Sequence, residues 1–170
     1  EATFDRLQAN LVQLRERAQT TVDKRAQDLL EFLVAHRAAS QNHGVRQHTQ
    51  AALEALGRAF KRGEWESGER LLMANFLTQQ GRLRQPELAR FQVAKVRELC
   101  AEEEAGSEHH LNLSASLAQL LWSYQQRDEA VRVLEGALSA QRDSSGRLPS
   151  SARGAFNTWV SYLEGTGSWR

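Results

Sequence analysis

The sequence predicts an all-α protein, and three observations support this prediction. Only two prolines occur, Pro86 and Pro149, so little in the chain interrupts a helix. Apolar residues recur three and four positions apart, which is the spacing of one helix face. No run of β-branched residues alternates with polar ones between turn residues, as a strand would require. We therefore expect stacked antiparallel helical hairpins (an α-solenoid) preceded by a long N-terminal amphipathic helix.

Residues 1–38 are predicted to form that first long helix. Its apolar positions are Phe4, Leu7, Leu11, Leu14, Ala18 and Val22, followed by Ala26, Leu29, Leu30 and Leu33. Such a stripe is typical of a helix that buries one face. We expect it to pack on the rest of the chain. The alternative is a coiled-coil homodimer through residues 2–37.

A polar stretch at 39–48 separates this helix from the others and is predicted to be a loop and hinge, because it contains Asn42 and Gly44. The remaining chain, 49–170, is predicted to be one helical-repeat region. Its helices are expected at about 49–62, 65–80, 86–104, 108–125, 127–141 and 150–164.

Helix-end signals support these boundaries. Gly63 and Gly81 favour helix ends, and Pro86 suits a first helical turn, where its missing N–H costs little. Ser150 or Ser151 is expected to cap the last helix. The connections are short, so consecutive helices should run antiparallel.

Three stretches of the chain share one template with residues at i, i+3, i+4 and i+7. The stretches are Leu53, Leu56, Gly57 and Phe60; Ser114, Leu117, Ala118 and Leu121; and Phe156, Trp159, Val160 and Leu163. The second copy continues with Ala130, Leu134, Ala137 and Leu138 on one face of a following helix. Small residues at Ala118, Ala130 and Ala137 should let these two helices approach closely.

These copies resemble the tetratricopeptide repeat, a helical hairpin written W-x2-L-G-x2-Y and then A-x3-F. The resemblance is irregular, because Leu56, Leu117 and Trp159 are 61 and 42 residues apart, where the family keeps a period of about 34. Gln125 also stands where the family has a turn glycine. The resemblance implies a right-handed array whose first helices line an inner face that binds a peptide or helix of a partner.

The resemblance also implies which positions contact the partner. They are Glu54, Arg58 and Lys61 from the first copy, Asn112, Ser116, Gln119 and Ser123 from the second, and Asn157 and Ser161 from the third. The first set favours an acidic partner segment. The other two sets favour contact with a polar backbone.

The third copy ends before its second helix, so we expect the repeat region to be truncated at its C-terminal end. The apolar face of its helix, with Phe156, Trp159 and Leu163, would then be exposed unless more chain or a partner covered it. The alternative is a capping helix that folds back on the preceding hairpin.

Composition argues against several classes of protein. The 22 basic and 21 acidic residues give a net charge of +1, so neither a nucleic acid nor an anionic membrane is an expected partner. No apolar stretch of membrane-spanning length occurs. The single cysteine, Cys100, excludes an internal disulfide. These features favour the cytoplasm, with the nucleus as an alternative.

No catalytic pattern is found, so we predict no catalytic residues, no metal, no cofactor and no enzymatic activity. The adjacent His109 and His110 point about a third of a turn apart on a helix, and neither HExxH nor CxxC occurs. The predicted function is a protein–protein interaction scaffold or adaptor. An alternative is the non-catalytic helical-repeat arm of a large enzyme, such as a phosphatidylinositol-3-kinase-related kinase, whose irregular arms look similar.

Overall fold

A computed structural model of the chain describes residues 6, 9–13, 16, 21–41, 45–62, 65–80, 83 and 85–167. Every regular element in this part of the chain is helical and none is a strand, so the all-α prediction is confirmed. Of the first 20 residues, 6, 9–13 and 16 are helical. The rest of the predicted N-terminal helix before residue 21, and the predicted turn glycines at 44, 63 and 81, lie outside the described residues.

The helices from residue 21 onwards are labelled α1 to α7. Their bounds are Thr21–Ser40 (α1), Val45–Phe60 (α2), Ser67–Gln79 (α3), Pro86–Ala101 (α4), Glu108–Ser123 (α5), Arg127–Ala140 (α6) and Arg153–Thr166 (α7). A short 3-10 turn, Ser150–Ala152, leads directly into α7. Pro86 is the first residue of α4, as expected.

The connection between the first two helices is shorter than the predicted loop at 39–48. α1 continues to Ser40 and α2 begins at Val45. Ala39 is only 2 % exposed, so it belongs to the core, while Arg46 and Gln47 lie on the exposed side of α2. The polar run was therefore wrongly assigned in part, because a polar helix face and a loop have the same composition.

The chain divides into two compact units. The first comprises the described residues of 1–64 and 84–91, and the second those of 65–83 and 92–170. α4 begins in the first unit and continues in the second. The core of each unit is described separately below.

In the first unit α1 packs against α2. Phe32 of α1 and Leu56 of α2 are fully buried. The other buried apolar residues of these two helices are all small: Ala35, Ala39, Ala52, Ala55 and Ala59.

The buried face of α1 is rotated relative to the predicted stripe. Leu29 and Leu30 are half-buried, whereas Asp28 is 1 % exposed and Arg25 is 7 % exposed. This arrangement is possible because Asp28 is ion-paired to both Arg58 and Arg62, which lie at the end of α2 and just after it. The two guanidinium groups bind the two oxygens of this carboxyl group, which offsets the cost of burying it.

In the second unit α3 and α4 run antiparallel. Arg70, near the start of α3, binds Glu102 and Glu103 just after the end of α4. Towards the other end of α3, the Leu77 carbonyl accepts a hydrogen bond from the side chain of Gln92 in α4. α5 and α6 form the next antiparallel pair, and Ala118, Ala130 and Ala137 are buried as the small-residue pattern predicts.

The last helix, α7, packs on α6 and α5. Phe156 and Trp159 lie against a cluster made by Leu111, Ala137 and Ala152 together with Leu138. This packing is compatible with both sequence-based alternatives for the last helix, and none of its residues is fully buried. Ser150 and Ser151 do not cap it, since they form the preceding 3-10 turn.

The turn between α5 and α6 explains the glutamine found in place of the expected turn glycine. Gln125 has a φ of +64°, in the left-handed region. The N–H of Gln125 bonds to the Trp122 carbonyl, and the N–H of Gln126 bonds to the Leu121 carbonyl. These two bonds form a Schellman motif, which favours glycine at this position.

We expect Gln125→Gly to stabilise the protein, because glycine removes the strain of a left-handed side chain. The gain should be about 0.5–1 kcal/mol in the free energy of unfolding. Urea denaturation measures it. The matched control is Gln119→Gly at an exposed helical position, which should cost about 1 kcal/mol. Equal losses at both positions would contradict the strain argument.

Gly106, in the turn between α4 and α5, is a second constrained position. Its φ is +86°, and a Cβ there would lie 2.8 Å from the Ala140 carbonyl oxygen. Gln141 donates hydrogen bonds to the carbonyls of Gly106 and Ser107, each at 2.8 Å. The end of α6 is thereby attached to the start of α5.

Gly106→Ala should destabilise the protein by about 2 kcal/mol or more, because the substitution adds both backbone strain and a clash. Thermal unfolding followed by circular dichroism measures the change. The control is Gly136→Ala in α6, where a Cβ meets nothing within 4 Å. That control should raise stability by up to about 1 kcal/mol. A Gly106→Ala protein as stable as the parent would refute the close approach.

Candidate interaction surface

Three helices of the second unit, α3, α5 and α7, run in the same direction. The Leu83 N–H, in the chain that follows α3, bonds to the Tyr124 hydroxyl just after the end of α5. Trp122, near the end of α5, stacks on Tyr162 near the end of α7, with ring centroids 4.0 Å apart. Equivalent levels of neighbouring helices therefore meet, which happens when helices are parallel.

Each of these three helices has a narrow exposed stripe. On α3 it consists of Gly68, Leu72, Asn75 and Gln79. On α5 its centre is formed by Asn112 and Gln119, and on α7 by Gly154, Asn157 and Ser161. Positions three, four and seven apart lie on one helix face, so the members of each stripe lie on the same side of their helix.

The three stripes are uncharged along their middle turns. The exposed charged residues of these helices lie only in their first or last turns: Glu108, Arg153 and Glu164. The exposed faces of the intervening helices differ, with Arg97 and Glu98 on α4 and Arg132 and Glu135 on α6. A quarter of the whole chain is charged, so this contrast distinguishes one side of the second unit.

Side-chain contacts join the three stripes into one surface. The Ser116 hydroxyl donates to the Asn75 amide oxygen at 3.2 Å, which joins the α3 and α5 stripes. Between α5 and α7, Gly165 lies against the ring of Trp122, where a Cβ would come within 2.9 Å. We call the surface formed by the stripes of α3, α5 and α7 the amide face, because asparagine and glutamine are its commonest side chains.

Most of the residues predicted on the second and third template copies lie on the amide face. Asn112, Gln119, Asn157 and Ser161 are exposed there. Ser116 is 9 % exposed and bonds to Asn75 and to the Asn112 carbonyl, so the expectation of an exposed Ser116 is wrong. Its short side chain lies at the contact between α3 and α5.

Ser123 is half-buried, and its hydroxyl donates to the Leu120 carbonyl at 2.7 Å. A serine near the end of a helix commonly satisfies the backbone in this way. Ser123 therefore lies at the edge of the amide face and contributes little to it.

The residues predicted on the first template copy lie in the first unit, on α2 and directly after it. Glu54, Arg58 and Lys61 line a shallow depression, open to solvent, with Gln50, Leu53 and Gly57. Arg58 binds Asp28 and Glu31 of its own chain, so it is not a free cation for an acidic partner. Nothing lies within 4 Å of a Cβ at Gly57, so it does not mark a close helix contact.

Sequence reasoning missed the α3 part of the amide face, namely Leu72, Asn75 and Gln79. Leu72 is 71 % exposed, which is unusual for a large apolar side chain. A signal was available, because positions 68, 72, 75 and 79 share a helix face without a charged residue. The repeat template matched α2 instead, so no residue of α3 was predicted on the binding surface.

A buried hydrogen-bond network fixes α3, α4 and α5 with respect to one another. Gln92 is fully buried, and its amide oxygen accepts from the Tyr124 hydroxyl at 2.6 Å. The same hydroxyl accepts from the Leu83 N–H at 2.8 Å. These bonds connect the end of α5 to α4 and to the chain that follows α3.

At the opposite end of α3, Glu103, which follows the end of α4, binds two residues of α3. Its side chain is 7 % exposed and accepts hydrogen bonds from Arg70 at 2.6 Å and from Ser67 at 3.1 Å. Burial raises the pKa of Glu103, but the bonds from Arg70 and Ser67 together lower it further, so its pKa lies below the usual value.

The single cysteine lies in the core of the second unit. Cys100 is buried with its sulfur 3.2 Å from the Ser114 hydroxyl, and burial raises the pKa of its thiol. No group of three or more histidine, cysteine, aspartate or glutamate residues in the described ranges is placed to hold a metal ion. No helix among those described has the length and apolarity needed to cross a membrane.

Comparisons with known proteins return no relatives for this chain. No protein-family model, no curated protein and no solved structure matches it.

Glu103→Gln should lower the free energy of unfolding near pH 7 by about 1–3 kcal/mol, because it removes charge-assisted hydrogen bonds. A lowered pKa in the folded state stabilises the protein above the unfolded pKa, and this contribution disappears as the pH falls through the folded pKa. The difference between variant and parent should therefore shrink below about pH 4. Urea denaturation over a pH series measures it.

The control for this prediction is Glu98→Gln. The Glu98 carboxylate is 56 % exposed in an i,i+3 pair with Lys95, so its loss should change stability by less than about 0.5 kcal/mol. A Glu103→Gln defect that persists unchanged in acid would show that the carboxylate charge is not responsible.

Proposed function

We propose that this chain is a protein–protein interaction scaffold that binds a partner on the amide face. The observation that supports the proposal best is the uncharged, exposed side shared by three parallel helices. Surfaces that recognise proteins are depleted in charge at their centres and have polar rims, and the charged residues at the helix ends are arranged in this way.

We further propose that α3 to α7 form an irregular array of the tetratricopeptide type. The pairs α3–α4 and α5–α6 would each be one hairpin, and α7 would be the first helix of a third. This assignment of helices to hairpins differs from the sequence-based prediction, in which α2 was the first helix of the first hairpin. It is supported by the antiparallel bonding of α3 to α4 and by the parallel contacts of α5 with α3 and α7.

In such an array each hairpin leaves an apolar face that the next hairpin covers. The buried leucines of α5 and the half-buried Phe156 and Trp159 of α7 are consistent with this arrangement. First helices that lie side by side present their outer stripes to a common ligand. The amide face would then be the binding surface of the array.

A matched capture experiment tests the proposed function. The bait is the whole chain, and the test bait carries Asn112→Ala, Gln119→Ala and Asn157→Ala. Loss of these exposed amides should not unfold the protein, because alanine favours helices. A protein retained by the parent and reduced about tenfold on the test bait would support the proposal.

The control bait carries Arg132→Ala and Glu135→Ala, which change only the exposed, charged side of α6. It should retain the same protein as the parent. A partner that is lost on the control bait and kept on the test bait would place binding on another side of the second unit. Circular dichroism of all three baits confirms equal folding.

A further inference from the structure

The amide face carries free side-chain amides on all three helices. The structure shows no hydrogen bond from a described residue to the side chains of Gln79, Asn112, Gln119 or Asn157. Asn75 uses only its oxygen, which accepts from Ser116, so its NH₂ group points to no described partner. Each amide offers donors and an acceptor within one planar group.

A side-chain amide has the same hydrogen-bonding groups as a peptide bond. It can donate to a peptide carbonyl and accept from a peptide N–H at once, which a charged side chain cannot do. Packed helices have axes about 8–10 Å apart, and an extended peptide rises about 3.3 Å per residue. Amides on neighbouring helices therefore match peptide groups about three residues apart along an extended segment.

The charges around the amide face limit which segments fit. The α3 stripe contains no charged residue, and Arg70 of the same helix is bound to Glu102, Glu103 and the Trp65 carbonyl. Glu108 and Glu164 lie at the ends of α5 and α7, with Arg153 as the exposed cation at the start of α7. An acidic segment finds no row of cations on this surface, and a basic one finds no row of carboxylates.

We propose that the amide face binds an extended, uncharged peptide segment of another protein. The backbone of the segment pairs with Asn75, Asn112, Gln119 and Asn157, and one apolar side chain packs on Leu72. The proposal rests on the proposed function and adds to it the chemical class of the ligand and the contribution of α3.

The test uses a displayed library of random peptides about ten residues long, enough to cross three helices. The library is selected on the immobilised whole chain, and the enriched sequences are then synthesised. Uncharged sequences with at least one large apolar residue are expected. Their affinity, measured by fluorescence anisotropy, should change less than about twofold between low and high NaCl, because no ion pair contributes.

Two variants locate the binding site. Leu72→Ser combined with Asn112→Ala should weaken binding of the selected peptide about tenfold or more, since an apolar contact and an amide pair are lost. The α2 variant, which combines Arg46→Ala on α2 with Lys61→Ala directly after it, should leave the affinity unchanged. Leu72 is largely exposed, so the first variant should keep the thermal stability of the parent.

Other outcomes overturn the inference in distinguishable ways. Enriched peptides that are acidic, salt-sensitive and weakened by the α2 variant would refute the inference and leave a scaffold function in place. The inference would also be refuted if no peptide were enriched while a partner in the capture experiment depended on the amide face. That partner would then bind through a folded surface. If no peptide were enriched and no captured protein depended on the amide face, the proposed function would be refuted as well.

Discussion

The burial of α5 is the constraint on which the second unit depends. Eight of its sixteen residues are buried, and five of these are leucines: Leu111, Leu113, Leu117, Leu120 and Leu121. Burying a leucine side chain contributes about 1.5–3 kcal/mol. A helix with so much apolar surface requires neighbours on several sides, and α3, α4, α6 and α7 provide them. The narrow exposed strip that remains is the centre of the amide face.

Two serines of α5 have polar partners within this core. The hydroxyl of Ser114 lies against the Cys100 sulfur, and that of Ser116 lies against Asn75. Small hydroxyl side chains allow close helix packing and satisfy their own hydrogen bonds. Where the tetratricopeptide template has a large aromatic residue, this chain has Ser114. At this level the contact between α4 and α5 is therefore made by two small side chains, Cys100 and Ser114.

Much of the helical architecture was predictable from the sequence, since the rarity of proline and the apolar periodicity indicate helices directly. The starts of α4, α5 and α6 follow from Pro86, from Ser107 as the cap of α5, whose oxygen accepts the His110 N–H, and from the acidic pair Asp128-Glu129. The middle template copy was also informative, because Ala118, Ala130 and Ala137 are all buried. These signals are local, because each lies within one helix or within one pair of consecutive helices.

The features that sequence reasoning missed depend on contacts between distant residues. Nothing near Asp28 indicates that Arg58 and Arg62, some thirty positions later, make its burial possible. The pairing of α3 with α4 depends on Arg70 and Glu103 in the same way. The repeat template tests spacing alone, and it matched α2 because Leu53, Leu56 and Phe60 have the required spacing. Gly57 of the same match faces open space, so it does not make the close helix contact that the template implies.

The shallow seating of α7 gives the second unit an uneven distribution of stability. None of its residues is fully buried, and the indole N–H of Trp159 is enclosed with no hydrogen-bond partner among the described residues. Local opening requires least free energy where few apolar contacts are lost. α7 should therefore detach in brief sub-global openings while α5 and α6 stay folded, and its amides should exchange with deuterium first. Each opening uncovers Leu111 and Leu138, which makes this end of the unit the one most exposed to proteolysis and to association with other chains.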